Sequence, residues 1–198
     1  MISILDYGAG NLRSVANTLA AIGAEFEVVR DARSLESAPK IILPGVGHFG
    51  QMMRSLDAMD MRHTLISRID AGVPFLGICL GMQVLFDGSE EAPELKGFAR
   101  YPGRILRFTG GARVPHMGWD ELELRPRSHL LAGIGPRPYV YFAHSYYAPV
   151  IPAAAATCTY TVPYTAALED GNVFGVQFHP EKSGRIGLEI MKRFAEIQ

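Results

Sequence analysis

Cys79 stands in a setting suited to nucleophilic chemistry. The segment Gly77-Ile78-Cys79-Leu80-Gly81-Met82-Gln83 follows a short apolar run. A cysteine flanked by small residues at a strand-to-helix junction repeats the logic of the Gly-x-Ser-x-Gly elbow. There the glycines permit a sharp turn that projects the central side chain above a sheet. The partial positive charge of a helix N-terminus favours the thiolate, which is the reactive form. The Leu80 N–H would then point to where an oxyanion develops. The competing reading is a buried cysteine that only packs.

A nucleophilic thiol needs a base, and the base needs an orienting group. Of the six histidines, His179 in Phe178-His179-Pro180-Glu181 fits that need. A residue before proline is pushed to extended geometry, so His179 and Glu181 tend toward one side of the chain. Glu181 can accept a hydrogen bond from the ring or sit beside it. A second unusual loop, Pro44-Gly45-Val46-Gly47, has glycine on both sides of Val46. It reads as a second oxyanion donor, a substrate clamp or a plain turn. Gln83, four residues after Cys79, shares a helical face with it. Its amide suits polar substrate recognition or a cap.

The elements that must position these residues alternate through the first hundred positions. Ile2–Leu5, Glu25–Arg30, Lys40–Leu43 and Phe75–Ile78 read as strands. Helices are expected from Asn11, a good N-cap, and over Gln51–Met59, Met61–Ala71 and Leu80–Asp87. This pattern implies βαβ units and an open, mostly parallel sheet flanked by helices. From about Gly103 the chain turns to short strands: Arg104–Phe108, Trp119–Leu124, Tyr139–Phe142, Thr157–Val162, Tyr164–Glu169 and Asn172–Phe178. Asp170-Gly171 signals a hairpin between the last two. These make an antiparallel extension in the C-terminal half, followed by a helix over Ser183–Gln198. The reading is one α/β domain over residues 1–198.

Composition narrows the function. The chain has 19 Lys+Arg against 20 Asp+Glu, a net charge of −1, with 48% hydrophobic and 20% charged residues. It is too apolar to be disordered and has no basic stripe for nucleic acid. Its most apolar stretch, Val73–Phe86, is too short and broken to span a bilayer. The short apolar run before Asp6 and Tyr7 has no basic leader, so it is not expected to be a signal peptide, and two cysteines point to a reducing cytoplasm rather than a disulfide framework. Neither cysteine nor any histidine pair has metal-ligand spacing, so neither a metal nor a cofactor is expected. Cys158 reads as a packing residue.

Gly77-Ile78-Cys79-Leu80-Gly81-Met82-Gln83, followed a hundred residues later by Gly175-Val176-Gln177-Phe178-His179-Pro180-Glu181, resembles the class I (triad) glutamine amidotransferases. Several further segments are similar to the glutaminase subunits of imidazole glycerol phosphate synthases. They are Asp6–Val15, Leu43–Phe49, Pro115–Trp119, His144–Tyr147 and the Lys182-Ser183 ending. The match runs essentially end to end; Asp120 departs from it, standing where asparagine is expected. The resemblance implies glutamine hydrolysis through a thioester, with Cys79 as nucleophile, His179 as general acid and base, and Glu181 orienting it. It implies an oxyanion hole from Val46, Gly47 and Leu80, and glutamine held by Gln83, His144, Ser145 and Tyr146. It also implies a heterodimer with a (β/α)₈ cyclase that receives the ammonia in histidine biosynthesis. Asn11, Pro115, Met117, Trp119 and Lys182 would face that partner. Other coupled amidotransferases, a stand-alone thiol hydrolase and a catalytically silent binding subunit are the alternatives.

Overall fold

A computed structural model describes residues 1–111, 113–126 and 128–197. The first half runs β1 (Ile2–Leu5), α1 (Leu12–Ala21), β2 (Phe26–Val29), α2 (Ala32–Glu36), β3 (Ile41–Gly45), α3 (Phe49–Ala58), α4 (Met61–Asp70), β4 (Phe75–Cys79) and α5 (Leu80–Gln83). Every residue of β1, β3 and β4 is buried. That is why these strands read as continuous apolar runs rather than alternating ones.

The second half continues with β5 (Phe86–Ser89), β6 (Ala92–Lys96), β7 (Tyr101–Arg107), β8 (His116–Glu121), β9 (Glu123–Leu124), β10 (Tyr139–His144) and β11 (Tyr146–Tyr147). It ends with β12 (Ala154–Thr159), β13 (Pro163–Asp170), β14 (Val173–Val176), a 3₁₀ turn (Pro180–Lys182) and α6 (Gly184–Glu196).

The main sheet has the order β2-β1-β3-β4-β14-β13-β12-β9. The pairs from β2 to β14 are parallel, and those from β14 to β9 are antiparallel. The expected parallel sheet with an antiparallel extension is therefore what the chain forms. The Asp170-Gly171 hairpin joins β13 to β14, with Gly171 at φ +60°. Two smaller sheets, β10-β8 and β11-β7-β5-β6, stand beside it. One apolar cluster joins one face of the sheet to α3, α4 and β5–β7; the other joins the opposite face to α1, α6 and β10.

Register brings the chemistry together. Gly175 and Val176 pair with Gly77 and Ile78, and Gly45 pairs with Cys79. The ends of β3, β4 and β14 therefore lie side by side. Their loops carry Val46, Cys79 and His179 to one edge, outside the carboxyl ends of parallel strands, where such folds bind ligands.

Three expectations need correction. The helix expected over Leu80–Asp87 stops at Gln83. Phe98 N–H donates to the Val84 carbonyl at 2.7 Å and Arg100 N–H to Leu85 at 2.8 Å, so the returning chain takes the acceptors a longer helix would use. The single strand over Trp119–Leu124 is two, β8 and β9, because Leu122 turns into the core. Asn11 precedes α1 but makes no capping bond with its side chain. That side chain reaches Glu181 instead.

Candidate active site

The elbow forms, by a route the sequence did not suggest. The positive φ falls on Cys79 itself, at φ 54° and ψ −108°, and not on Gly77 or Gly81. A non-glycine residue in such a conformation costs of order 1–3 kcal/mol and persists only when its surroundings enforce it. The glycines provide clearance instead. A Cβ on Gly77 would lie 2.3 Å from the Gly81 carbonyl oxygen, and one on Gly81 would lie 1.9 Å from that of Leu43. Backbone thus packs on backbone across α5, β3 and β4, and the cysteine turn is held from both sides. Because α5 is a single turn, its macrodipole is small. The useful positive charge comes from the free N–H groups that follow Cys79.

Cys79, His179 and Glu181 come together. His179 Nδ1 donates to Glu181 Oε1 at 2.9 Å, which leaves Nε2 for the thiol. The His179 and Glu181 side chains are 3% and 1% exposed, so neither charge is shared with solvent. Burial works against a charged His179, but the Cys79 sulfur and the Glu181 carboxylate outweigh it and push its pKa up to about 10. The imidazole therefore holds a proton at neutral pH, the charged state that a neighbouring sulfur and carboxylate favour. Glu181 Oε1 also accepts from Asn11 Nδ2 at 3.5 Å, while Oε2 is buried with no hydrogen-bond partner among the described residues.

Cys79 opens on a pocket of about 170 Å³ lined by Val46, Gly47, Leu80 and Gln83. Glu91, Pro115, Met117, His144, Ser145 and Tyr146 also line it. This is well below the roughly 300–1,000 Å³ of pockets that take drug-sized ligands, and suits an amino acid. The residues expected to form the oxyanion hole and to hold substrate therefore share one cavity with Cys79. Pro115 and Met117, expected at a partner interface, line it as well. Gln83 does not project free. Its Nε2 donates to the Tyr146 carbonyl at 2.8 Å and to Gln177 Oε1 at 2.9 Å, leaving only its carbonyl for a ligand.

Two residues were missed. Gln177, inside the quoted motif, donates from Nε2 to Cys79 Sγ at 3.5 Å. Glu91 lies between β5 and β6, where its Oε2 accepts from Phe49 N–H at 2.7 Å. No local pattern marks it.

The remaining expected interface residues surround this edge. Met117 is 65% exposed and Trp119 55%, large for apolar side chains on a strand. Trp119 meets Tyr141 edge-on at 6.1 Å, and Lys182 Nζ sits 5.7 Å over the Tyr141 ring. Cys158, in contrast, is fully buried in β12, and burial pushes its thiol up to about 12.

The family model for class-I glutamine amidotransferases matches residues 3–197. A solved glutamine amidotransferase structure superposes with a TM-score of 0.77 over 99% of both chains at 19% identity, which speaks for the fold alone. In Methanothermobacter thermautotrophicus, the imidazole glycerol phosphate synthase subunit HisH is 48% identical, covering 100% of this chain and 98% of its own. The chloroplastic imidazole glycerol phosphate synthase hisHF of Arabidopsis thaliana is 43% identical over 98% of this chain, which spans 34% of it. The elbow cysteine, the buried His–Glu pair and these full-length matches agree: the chain belongs to the class-I glutamine amidotransferases and, among them, to the HisH subunits of imidazole glycerol phosphate synthase.

Proposed function

We infer that this chain hydrolyses glutamine to glutamate and ammonia through a Cys79 thioester. It hands the ammonia to a cyclase subunit that makes imidazole glycerol phosphate and AICAR in histidine biosynthesis. The observation that carries the reading is the buried His179–Glu181 pair set against a thiol that lines an amino-acid-sized pocket.

The Cys79 proton goes to His179, and the sulfur attacks the side-chain amide carbon of glutamine. The resulting oxyanion meets the Leu80 N–H and the Val46–Gly47 backbone; losing one such donor typically costs about 10²–10³ in rate. The C–N bond then breaks as His179 returns its proton to the leaving nitrogen, releasing ammonia. Water attacks the thioester with His179 as base, a second oxyanion forms and collapses, and glutamate leaves. Glu91 suits the α-ammonium of glutamine, and the free carbonyl of Gln83 adds a second acceptor for it. The backbone of His144–Tyr146 and the Ser145 hydroxyl line the end of the pocket that would receive the α-carboxylate.

Free ammonia is protonated in bulk water and loses its nucleophilicity, so the chain works docked. The proposed docking surface is the exposed apolar edge of Met117 and Trp119 with Asn11, Pro115 and Lys182. The proposed partner is a (β/α)₈ cyclase in the cytoplasm. The fused plant relative, about three times as long as this chain, accords with a second component encoded beside the first. No helix among the described residues is long and apolar enough to cross a membrane. Treatment with an electrophilic glutamine analogue tests the reading. Intact-mass labelling is expected at Cys79 and not at Cys158, and an unlabelled Cys79 overturns it.

A further inference from the structure

Behind the pocket a hydrogen-bond chain runs on past the residues that the mechanism uses. His144 Nδ1 lies 2.8 Å from the Tyr146 carbonyl oxygen. A carbonyl only accepts, so Nδ1 carries the proton. Burial holds His144 neutral, its pKa depressed to about 3 with only partial compensation from that bond. Its Nε2 is therefore bare. At 3.3 Å from it stands His116 Nδ1, and the contact is attractive only if His116 donates. Asp120 Oδ2 lies 3.4 Å from the other nitrogen of His116.

We propose that His116, braced by Asp120, is a positioning residue of this site. It fixes which ring nitrogen of His144 bears the proton, and so locks the Tyr146 carbonyl and Gln83 behind Cys79. The proposal rests on the thioester reading of Cys79. The Tyr146 carbonyl accepts from both His144 Nδ1 and Gln83 Nε2; Gln83 donates in turn to Gln177, and Gln177 to the Cys79 sulfur. From His116 to the thiol each group has its hydrogen-bonding direction set by its neighbour. A tautomer error at His144 would turn a donor into an acceptor facing a carbonyl.

The proton count gives Asp120 a distinct part. With Nδ1 donating to His144, a neutral His116 offers a bare Nε2 to an ionised carboxylate, and two acceptors repel. The contact holds only when the His116 ring carries a second proton, a state that its burial disfavours and the neighbouring Asp120 favours. An asparagine at 120 would donate from its own amide and close the relay without that second proton. The other titratable groups around the ring are the Tyr164 hydroxyl, 3.4 Å from His116 Nδ1, and the Cys158 thiol, beside both Tyr164 and Asp120. Glu123 acts on Cys158, and His179 acts on His144. The ring is otherwise clamped between Tyr160 at 4.0 Å and Phe142 at 5.0 Å.

The test uses the full chain with ¹⁵N-labelled histidine, and the same chain in its complex for kinetics. His144 is expected as the neutral Nδ1–H tautomer. His116 should show a ¹⁵N titration step that Asp120→Asn removes. His116→Phe keeps the ring stack and loses both nitrogens. It should lower kcat for glutamine hydrolysis about tenfold, the scale of one lost hydrogen bond. His116→Asn, whose amide can replace Nδ1–H, should return to within about threefold of the natural chain. Protonation of His144 on Nε2 in the natural chain overturns the proposal whatever the variants do. So does a folded His116→Phe chain with unchanged kcat and an unchanged His144 tautomer. Failure of Cys79 to take up an electrophilic glutamine analogue brings down the thioester reading instead, and the His144 spectrum still decides the relay.

Discussion

A methyl group on Gly81 would sit 1.9 Å from the Leu43 carbonyl oxygen, inside any tolerable contact. That oxygen is backbone of the buried strand β3 and cannot swing aside. The approach is what holds the Cys79 turn at φ 54°.

Gly81→Ala is accordingly expected to destabilise the fold by about 3 kcal/mol or more through overpacking. For a domain of this size that is a fall in Tm of roughly 6–12 °C. Calorimetry checks it, and an unchanged Tm would show that α5 can slide off β3.

Cys79→Ala should abolish glutamine-dependent turnover while ammonia-dependent synthesis by the complex continues, because the partner's own chemistry is untouched. Steady-state assays with each nitrogen source separate the two. Full glutamine-dependent activity in that variant would remove Cys79 from the mechanism.

The pH dependence follows from His179. Its folded pKa, about 10, lies above the roughly 6.5 of an unfolded histidine. Its contribution to stability is therefore fully present below about pH 6.5 and is lost as pH rises through about 10. The alkaline limb of kcat/KM is expected where His179 loses that proton. Glu181→Gln removes a charge that favours the imidazolium and should move that limb down by about 1–3 units. A limb that stays in place would mean Glu181 does not govern the proton on His179.

Trp119→Ala should weaken docking of the cyclase subunit by about 2 kcal/mol, or roughly 30-fold in Kd, if the exposed ring is an interface anchor. Titration calorimetry measures it. The glutaminase activity of the isolated chain should not change, since Trp119 does not line the catalytic pocket.

Much of this was legible from residue types. Continuous apolar runs marked the parallel strands, and Asp170-Gly171 marked the hairpin between β13 and β14. The spacing of Cys79 and His179 became meaningful because both end on neighbouring strands. What stayed hidden depends on tertiary partners. Phe86 and Asp87 read as helix because nothing local reveals that β7 and β6 will pair with β5. Glu91 reaches the pocket only through that hairpin, so it carries no signature. The glycines beside Cys79 were recognised, but their purpose was not. A sequence shows that a side chain is missing, whereas only packing shows what occupies its space.

The volume of about 170 Å³ around Cys79, a residue only 6% exposed, has a consequence for cellular chemistry. A volume of this size matches a single amino acid, whereas a tripeptide disulfide exceeds it. The same walls that line the substrate pocket are therefore expected to slow oxidation of the Cys79 sulfur by bulky disulfides, relative to an open thiol.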